Sequence, residues 1–156
     1  MGFLPARKPE HYPALIAAFG LATETCDGLP LTADELHGVH LTLLAAEGKK
    51  ADLETVKLMV GPSSGWPIVI ALPSDLLGLA IAEGIEDALS VHQATGLGVW
   101  AAGSATRMPA LAARVPSYIE AATIYAHADD TGQRFASALA DALVDRGVEV
   151  FIEGMP

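Results

Sequence analysis

The period of the apolar positions changes near residue 75, and the change divides the chain. From Leu79 onward short apolar runs alternate with 3.6-period segments: strands over 79–82, 98–102, 121–126 and 148–153, helices over 85–95 and 132–146, and a proline-interrupted helical piece over 107–114. Strand and helix alternating in this way predict a parallel sheet covered by helices. The first helix turns Ile85, Ala88 and Leu89 toward the core, with His92 on the same stripe. The last turns Phe135, Leu139, Ala142 and Leu143 inward and stops at Gly147.

Before residue 75 the pattern is less regular. Tyr12, Leu15, Ile16 and Phe19 fall at i, i+3, i+4 and i+7, which predicts a packing helix over 10–19 with Pro13 in its first turn and Gly20 at its end. Residues 21–36 hold Gly28, Pro30 and Thr32-Ala33-Asp34-Glu35, a loop with room for one capped helical turn. Val39–Leu44 reads as a strand that turns at 45–48 into an extended segment from Lys49, a hairpin; 51–65 reads as loop and 67–72 as a further strand. The expected fold class is therefore α/β. About four parallel strands are covered by helices on both faces in residues 76–156, and residues 1–75 form a small α+β attachment.

Composition narrows the function classes. A chain of 156 residues with 51% apolar residues and a mean hydropathy of +0.38 supports one main core. Its net charge of −10, from 19 acidic and 9 basic residues, denies it a general attraction to phosphate backbones, so nucleic-acid contact needs a local patch, a metal or a partner. Cys26 is alone, which excludes an internal disulfide or a cysteine-based zinc finger and leaves it a small apolar side chain. The apolar runs 67–72 and 76–82 are too short to cross a bilayer, and residues 1–13 lack a secretory apolar stretch. A cytoplasmic protein with no membrane contact is expected.

Two turns carry the chemistry. Glu83-Gly84 lies between a strand and a helix start, at the sheet edge where ligands of parallel sheets bind; Gly84 lets the backbone turn, and the N–H groups beyond it suit an anion or phosphate. The other reading of Glu83 is a carboxylate that complements the helix dipole in water. His127-Ala128-Asp129-Asp130-Thr131-Gly132 follows the strand 121–126 and reaches the same edge, so His127, Asp129 and Asp130 can approach Glu83 and offer oxygen ligands suited to Mg²⁺ or Mn²⁺. Asp129 or Asp130 also reads as a simple cap of the helix that follows. Ser104, after the strand 98–102, is a further phosphate contact. Asp130-Thr131-Gly132 spells the aspartic-protease triplet but feeds a helix, Gly61–Gly65 lacks a phosphate-loop lysine, and an odd offset turns His37 and His40 to opposite faces of a strand and spoils chelation.

The blocks LAIAEGIEDALSVHQATGLGVWAAGSA and ATIYAHADDTGQRFASALADALVDRGVEVFIEGMP resemble the Toprim family, the topoisomerase–primase domain, and within it the primases of bacteriophages, plasmids and other mobile elements. HLTLLAAEGKKADLETVKLMVGPSSGWPIVIAL is similar to the segment that precedes Toprim in those primases. The resemblance implies that Glu83 is the general acid or base of phosphoryl transfer and that Asp129 is the second aspartate of a pair holding Mg²⁺. His127 stands where the family has the first aspartate, which favours Mn²⁺ over Mg²⁺, and Asp130 is one residue out of register. The implied function is that of a Toprim domain of a primase-like protein, acting in DNA replication or mobile-element maintenance. It would bind a divalent metal and nucleotide or nucleic-acid phosphates, with catalysis weakened by His127 and DNA captured with another domain or subunit. An active metal-dependent nucleotidyltransferase or nuclease, and a non-catalytic protein-interaction module, remain as alternatives.

Overall fold

The computed structural model describes residues 12–23, 32–33, 36–73 and 77–154; Cys26, Gly28, Pro30 and Asp34-Glu35 lie outside them. Its first element corrects the expected helix over 10–19. β1 (Ala14–Phe19) is a strand, followed by the short antiparallel pair β2 (Ala22–Thr23) and β3 (Thr32–Ala33). β1 pairs antiparallel with β4 (Gly38–Leu43), Leu15 opposite Thr42 and Ala17 opposite His40. The same residues satisfy a period of two as well as of 3.6, and the backbone partners of β4 decide between them. Phe19 and His40 end up on one buried face, ring edge to ring at 6.3 Å. Burial, with Lys57 nearby, holds the His40 imidazole below its ordinary pKa.

The hairpin from β4 is present, with a longer path back than expected. Gly48 closes the turn by donating to the Ala45 carbonyl at 2.9 Å, and Leu44 bridges Lys50. The returning strand is β5 (Lys57–Val60), inside the stretch expected as loop.

The main sheet has five strands in the order β10-β9-β7-β8-β6. β6 (Ile68–Ala71) is an antiparallel edge; β7 (Gly78–Ala82), β8 (Gly98–Ala101), β9 (Ala121–Ala126) and β10 (Glu149–Gly154) are the four parallel strands. β7 is apolar on both sides because both sides are covered. Leu79 and Ile81 pack with Trp100, Ile124, Leu139 and Leu143 under α2 (Asp130–Val144), and Ala80 and Ala82 pack with Phe19, Val99, Ala88 and Val91 under α1 (Ile85–Thr95). On α1 the buried stripe is Ile85, Ala88 and Val91, packed on β6, β7 and β8; Leu89, expected inside, lies beside that stripe and is 50% exposed. On α2 Leu139 and Leu143 are buried as expected, and Phe135 and Ala142 are half-buried. The piece over 107–114 is a pair of 3₁₀ turns, Ala105–Arg107 and Pro109–Arg114.

Three contacts fasten the N-terminal strands to this sheet. Arg107 donates through Nε to the Ala102 carbonyl at 3.0 Å and through a terminal nitrogen to the Ser63 carbonyl, while its guanidinium lies 4.5 Å over the Phe19 ring. Trp66 is sandwiched: His37 stacks at 3.5 Å and Arg114 lies at 3.6 Å, distances that place them on opposite ring faces. Lys50 pairs with Glu86 in the first turn of α1 at 2.7 Å and holds its carboxyl below the usual range. Arg107→Met keeps the apolar stem on Phe19 and removes one donor each from the Ala102 and Ser63 carbonyls, the latter keeping the Trp66 N–H at 3.1 Å. It is expected to lower stability by about 1–3 kcal/mol in urea unfolding, and an unchanged midpoint would show that the bonds contribute nothing net.

Candidate functional site

The strand order reverses between β7 and β9. From β7 the chain passes through α1 to β8 on one side, and from β9 through α2 to β10 on the other, so the carboxyl ends of β7 and β9 lie side by side where the connections part. Such a switch point leaves a crevice between the departing loops. Ala82 pairs with Tyr125, so Glu83 and His127 leave the sheet at neighbouring points.

On the β7 side, Glu83 is half-buried and its carbonyl accepts from the Gly103 N–H at 2.9 Å, which ties the two loops on that edge together. Gly84 is the N-cap of α1 with no side chain to cap it. Asp87, three residues on, folds back toward that end: a Cβ at position 84 would stand 2.8 Å from Asp87 Oδ2. A carboxylate of the chain itself thus lies at the helix start where a bound phosphate was expected, in the favourable field of the α1 dipole. Ser104 heads the first 3₁₀ turn on the same edge and touches Thr106, Oγ to Oγ1 at 3.3 Å.

On the β9 side, His127 Nε2 lies 3.0 Å from Asp87 Oδ2. This hydrogen bond raises the imidazole above its ordinary pKa; the charges of Asp87, Glu83 and Asp129 act in the same direction against a smaller effect of burial. The His127 carbonyl accepts from Gln133 Nε2 at 3.2 Å. Asp129 caps α2, Oδ1 accepting from the Gly132 N–H at 2.7 Å, so its capping role is real. A Cβ on Gly132 would lie 2.7 Å from the His127 carbonyl oxygen, which is why the turn needs glycine there. Asp130 is exposed in the first turn of α2.

The structure therefore brings Glu83, His127 and Asp129 into one electrostatic cluster and adds Asp87, which the sequence reading left out. The available signal was spacing, since Glu83 and Asp87 are four apart across a helix start and share a side.

A doubly covered parallel sheet with an acidic site at its switch point places the chain among the α/β proteins that handle ligands at the carboxyl edge of the sheet. Residues 78–154 match the Toprim domain family, and this half of the chain belongs to it. A DNA primase domain from Pseudomonas aeruginosa superposes with a TM-score of 0.53 at 15% identity, over 88% of this chain and 49% of that one. The primase of Aquifex aeolicus, zinc-binding and RNA polymerase domains, superposes with a TM-score of 0.54 at 17% identity, over 78% and 31%. At such identity the likeness is one of fold, and the chain spans about half and about a third of those structures. The comparison with curated protein sequences finds no match.

Toprim domains generally bind divalent metal ions, so the side chains here can be tested against one. Among the described residues no three His, Cys, Asp or Glu side chains converge to hold a metal. Asp87 is engaged through one oxygen by His127 and Asp129 through one oxygen by its cap, and the His127 nitrogen that donates to Asp87 has no lone pair to give a cation. The arrangement does not fit the Mg²⁺ or Mn²⁺ site expected from Glu83, Asp129, Asp130 and His127.

The His127 imidazole is expected to titrate above the usual value of about 6.5 in a proton NMR titration, and to fall back in Asp87→Asn. Because the folded-state pKa is raised, the stability from this pair is fully present below the unfolded pKa and is lost as pH rises through the folded one. With side chains 44% and 25% exposed, the loss should stay within about 1 kcal/mol. Gly132→Ala forces the turn away from His127 and should cost about 1–3 kcal/mol, with His127 amide shifts as the local readout.

Proposed function

We propose that this chain works as a primase-type Toprim domain in DNA replication or mobile-element maintenance. In this reading it meets nucleotide or nucleic-acid phosphates at the Glu83 edge and depends on another domain or subunit for DNA, with little phosphoryl transfer of its own. Residues 76–156 are the Toprim unit, residues 1–75 are an attachment fastened through Arg107, Trp66 and Lys50, and the setting is the cytoplasm. No helix among the described residues is long and apolar enough to cross a membrane.

One observation carries the reading. Glu83 stands at the β7–β9 switch point as the family pattern requires, while the neighbouring aspartate position holds His127, paired at 3.0 Å to Asp87. The glutamate is kept, and the anionic partner it would work with is changed into an imidazole hydrogen-bonded to Asp87. With Mg²⁺ and Mn²⁺ both supplied, primer synthesis on single-stranded DNA and nicking of plasmid DNA are expected to stay at background, and Glu83→Gln is expected to change neither. Metal-dependent synthesis or cleavage that is lost in Asp129→Asn would establish the nucleotidyltransferase or nuclease reading instead. Capture of a partner that survives the loss of Glu83 and Asp129 together would establish the interaction module.

A further inference from the structure

We propose that a cavity at the amino edge of the parallel strands, lined by Leu21, Val69, Pro73, Trp100, Pro116 and Tyr118, is a binding site for a small neutral aromatic ring that carries one hydrogen-bond acceptor. The Trp100 indole N–H meets that acceptor. The inference stands apart from the reading of the Glu83 edge, with which the cavity shares no residue.

Trp100 is the third residue of β8, and it joins the core cluster under α2 against which Leu21 and Val69 also pack. It is 2% exposed, and its Nε1–H is buried with no hydrogen-bond partner. Buried indole N–H groups ordinarily have one, so this donor calls for an explanation. Pro73 follows β6 where that strand passes the start of β8, so close that a Cβ on Gly98 would lie 2.4 Å from it. Pro116 and Tyr118 lie in the turn that leads into β9. The cavity is therefore at the end of the sheet opposite Glu83 and His127, which leave the far ends of β7 and β9.

Size and chemistry narrow the occupant. The cavity has a volume of about 170 Å³, and an apolar cavity of about 150 Å³ is enough to take up benzene, so one ring with a short substituent fits. No charged side chain among the described residues lines it, so a phosphate or carboxylate would give up its water without compensation. Water is a poor occupant as well, because it needs about two to four polar partners. The wall is apolar apart from the indole N–H, Thr23, which has a partner of its own, and Tyr118, which is 54% exposed. The Trp100 and Tyr118 rings favour an aromatic neighbour at offset or edge-on geometry. One buried donor without an acceptor then selects one neutral acceptor on that ring, a carbonyl oxygen or a ring nitrogen.

The test titrates the isotope-labelled full chain with acetophenone and with ethylbenzene, which are similar in size and of which only the first has an acceptor. The indole N–H signals of Trp100 and Trp66 are followed by NMR. Acetophenone is expected to shift the Trp100 signal saturably and to bind about three to ten times more tightly than ethylbenzene. Trp66, stacked between His37 and Arg114, is the internal control and is expected to stay in place. Trp100→Phe keeps an aromatic wall and removes the donor, so the preference for acetophenone, read there from the Leu21 and Val69 amides, is expected to disappear. No saturable shift at the Trp100 indole, or ethylbenzene bound as tightly as acetophenone, overturns the proposal. Should Trp100→Phe fail to fold, the two probes on the unaltered protein decide alone.

Discussion

Everything at the site depends on β7 and β9 lying next to each other while their connections run in opposite directions. Parallel pairing in register, Gly78 with Ala121 through Ala82 with Tyr125, brings both strands to the same edge at the same height. The α1 connection covers one face toward β8 and the α2 connection covers the other toward β10. Two turns 40 residues apart in sequence are thereby joined by one contact, His127 to Asp87, and neither could find the other without this strand order.

Electrostatics then decide what the turns hold. Two unit charges 4 Å apart repel or attract by about 4 kcal/mol at an effective dielectric near 20, so Glu83, Asp87 and Asp129 around one crevice call for a cation. In this chain the group that meets them is the His127 imidazole, hydrogen-bonded to Asp87. Helix α1 contributes a second compensation, with Gly84 leaving room for Asp87 at its positive end and Lys50 neutralising Glu86 one residue earlier. Gly84 and Gly132 act in different ways: one admits the Asp87 carboxylate within the start of α1, the other admits the His127 carbonyl within the turn before α2.

The half of the chain from Leu79 onward was legible because each of its elements declares itself within a few residues. Ile85–Thr95 and Ala121–Ala126 fall at the bounds that periodicity sets. The N-terminal strands were not legible in the same way. Tyr12, Leu15, Ile16 and Phe19 fit a helix and a strand equally, and the choice was made by β4, a partner more than 20 residues away. β5 was missed because Lys57 gives it a polar start and the glycine-rich turn follows it at once. At the site, Glu83, His127 and Asp129 were visible as residues at strand ends, whereas Asp87 was hidden inside a helix as one of two first-turn acids, Glu86 and Asp87, that the dipole alone explains. Only the contact to His127 separates the two.

The arginines show why, under the proposed reading, nucleic acid is brought to this edge by a partner rather than drawn to it. Arg107 is committed to the Ser63 and Ala102 carbonyls and Arg114 to the face of Trp66. Arg134 lies over Phe135, and Arg146 donates to the Val115 carbonyl at 2.8 Å. Lys50 is paired with Glu86. Phosphate contacts contribute affinity when free protein cations displace counterions from the nucleic acid, and here Arg107, Arg114 and Arg146 are used in holding strands and turns together. On a chain of net charge −10 that leaves the switch point acidic within an acidic surface. A phosphate arriving there unaided meets the charges of Glu83, Asp87 and Asp129 beside an imidazole already bonded to Asp87, so under the proposed reading a basic surface from another domain or subunit does the steering.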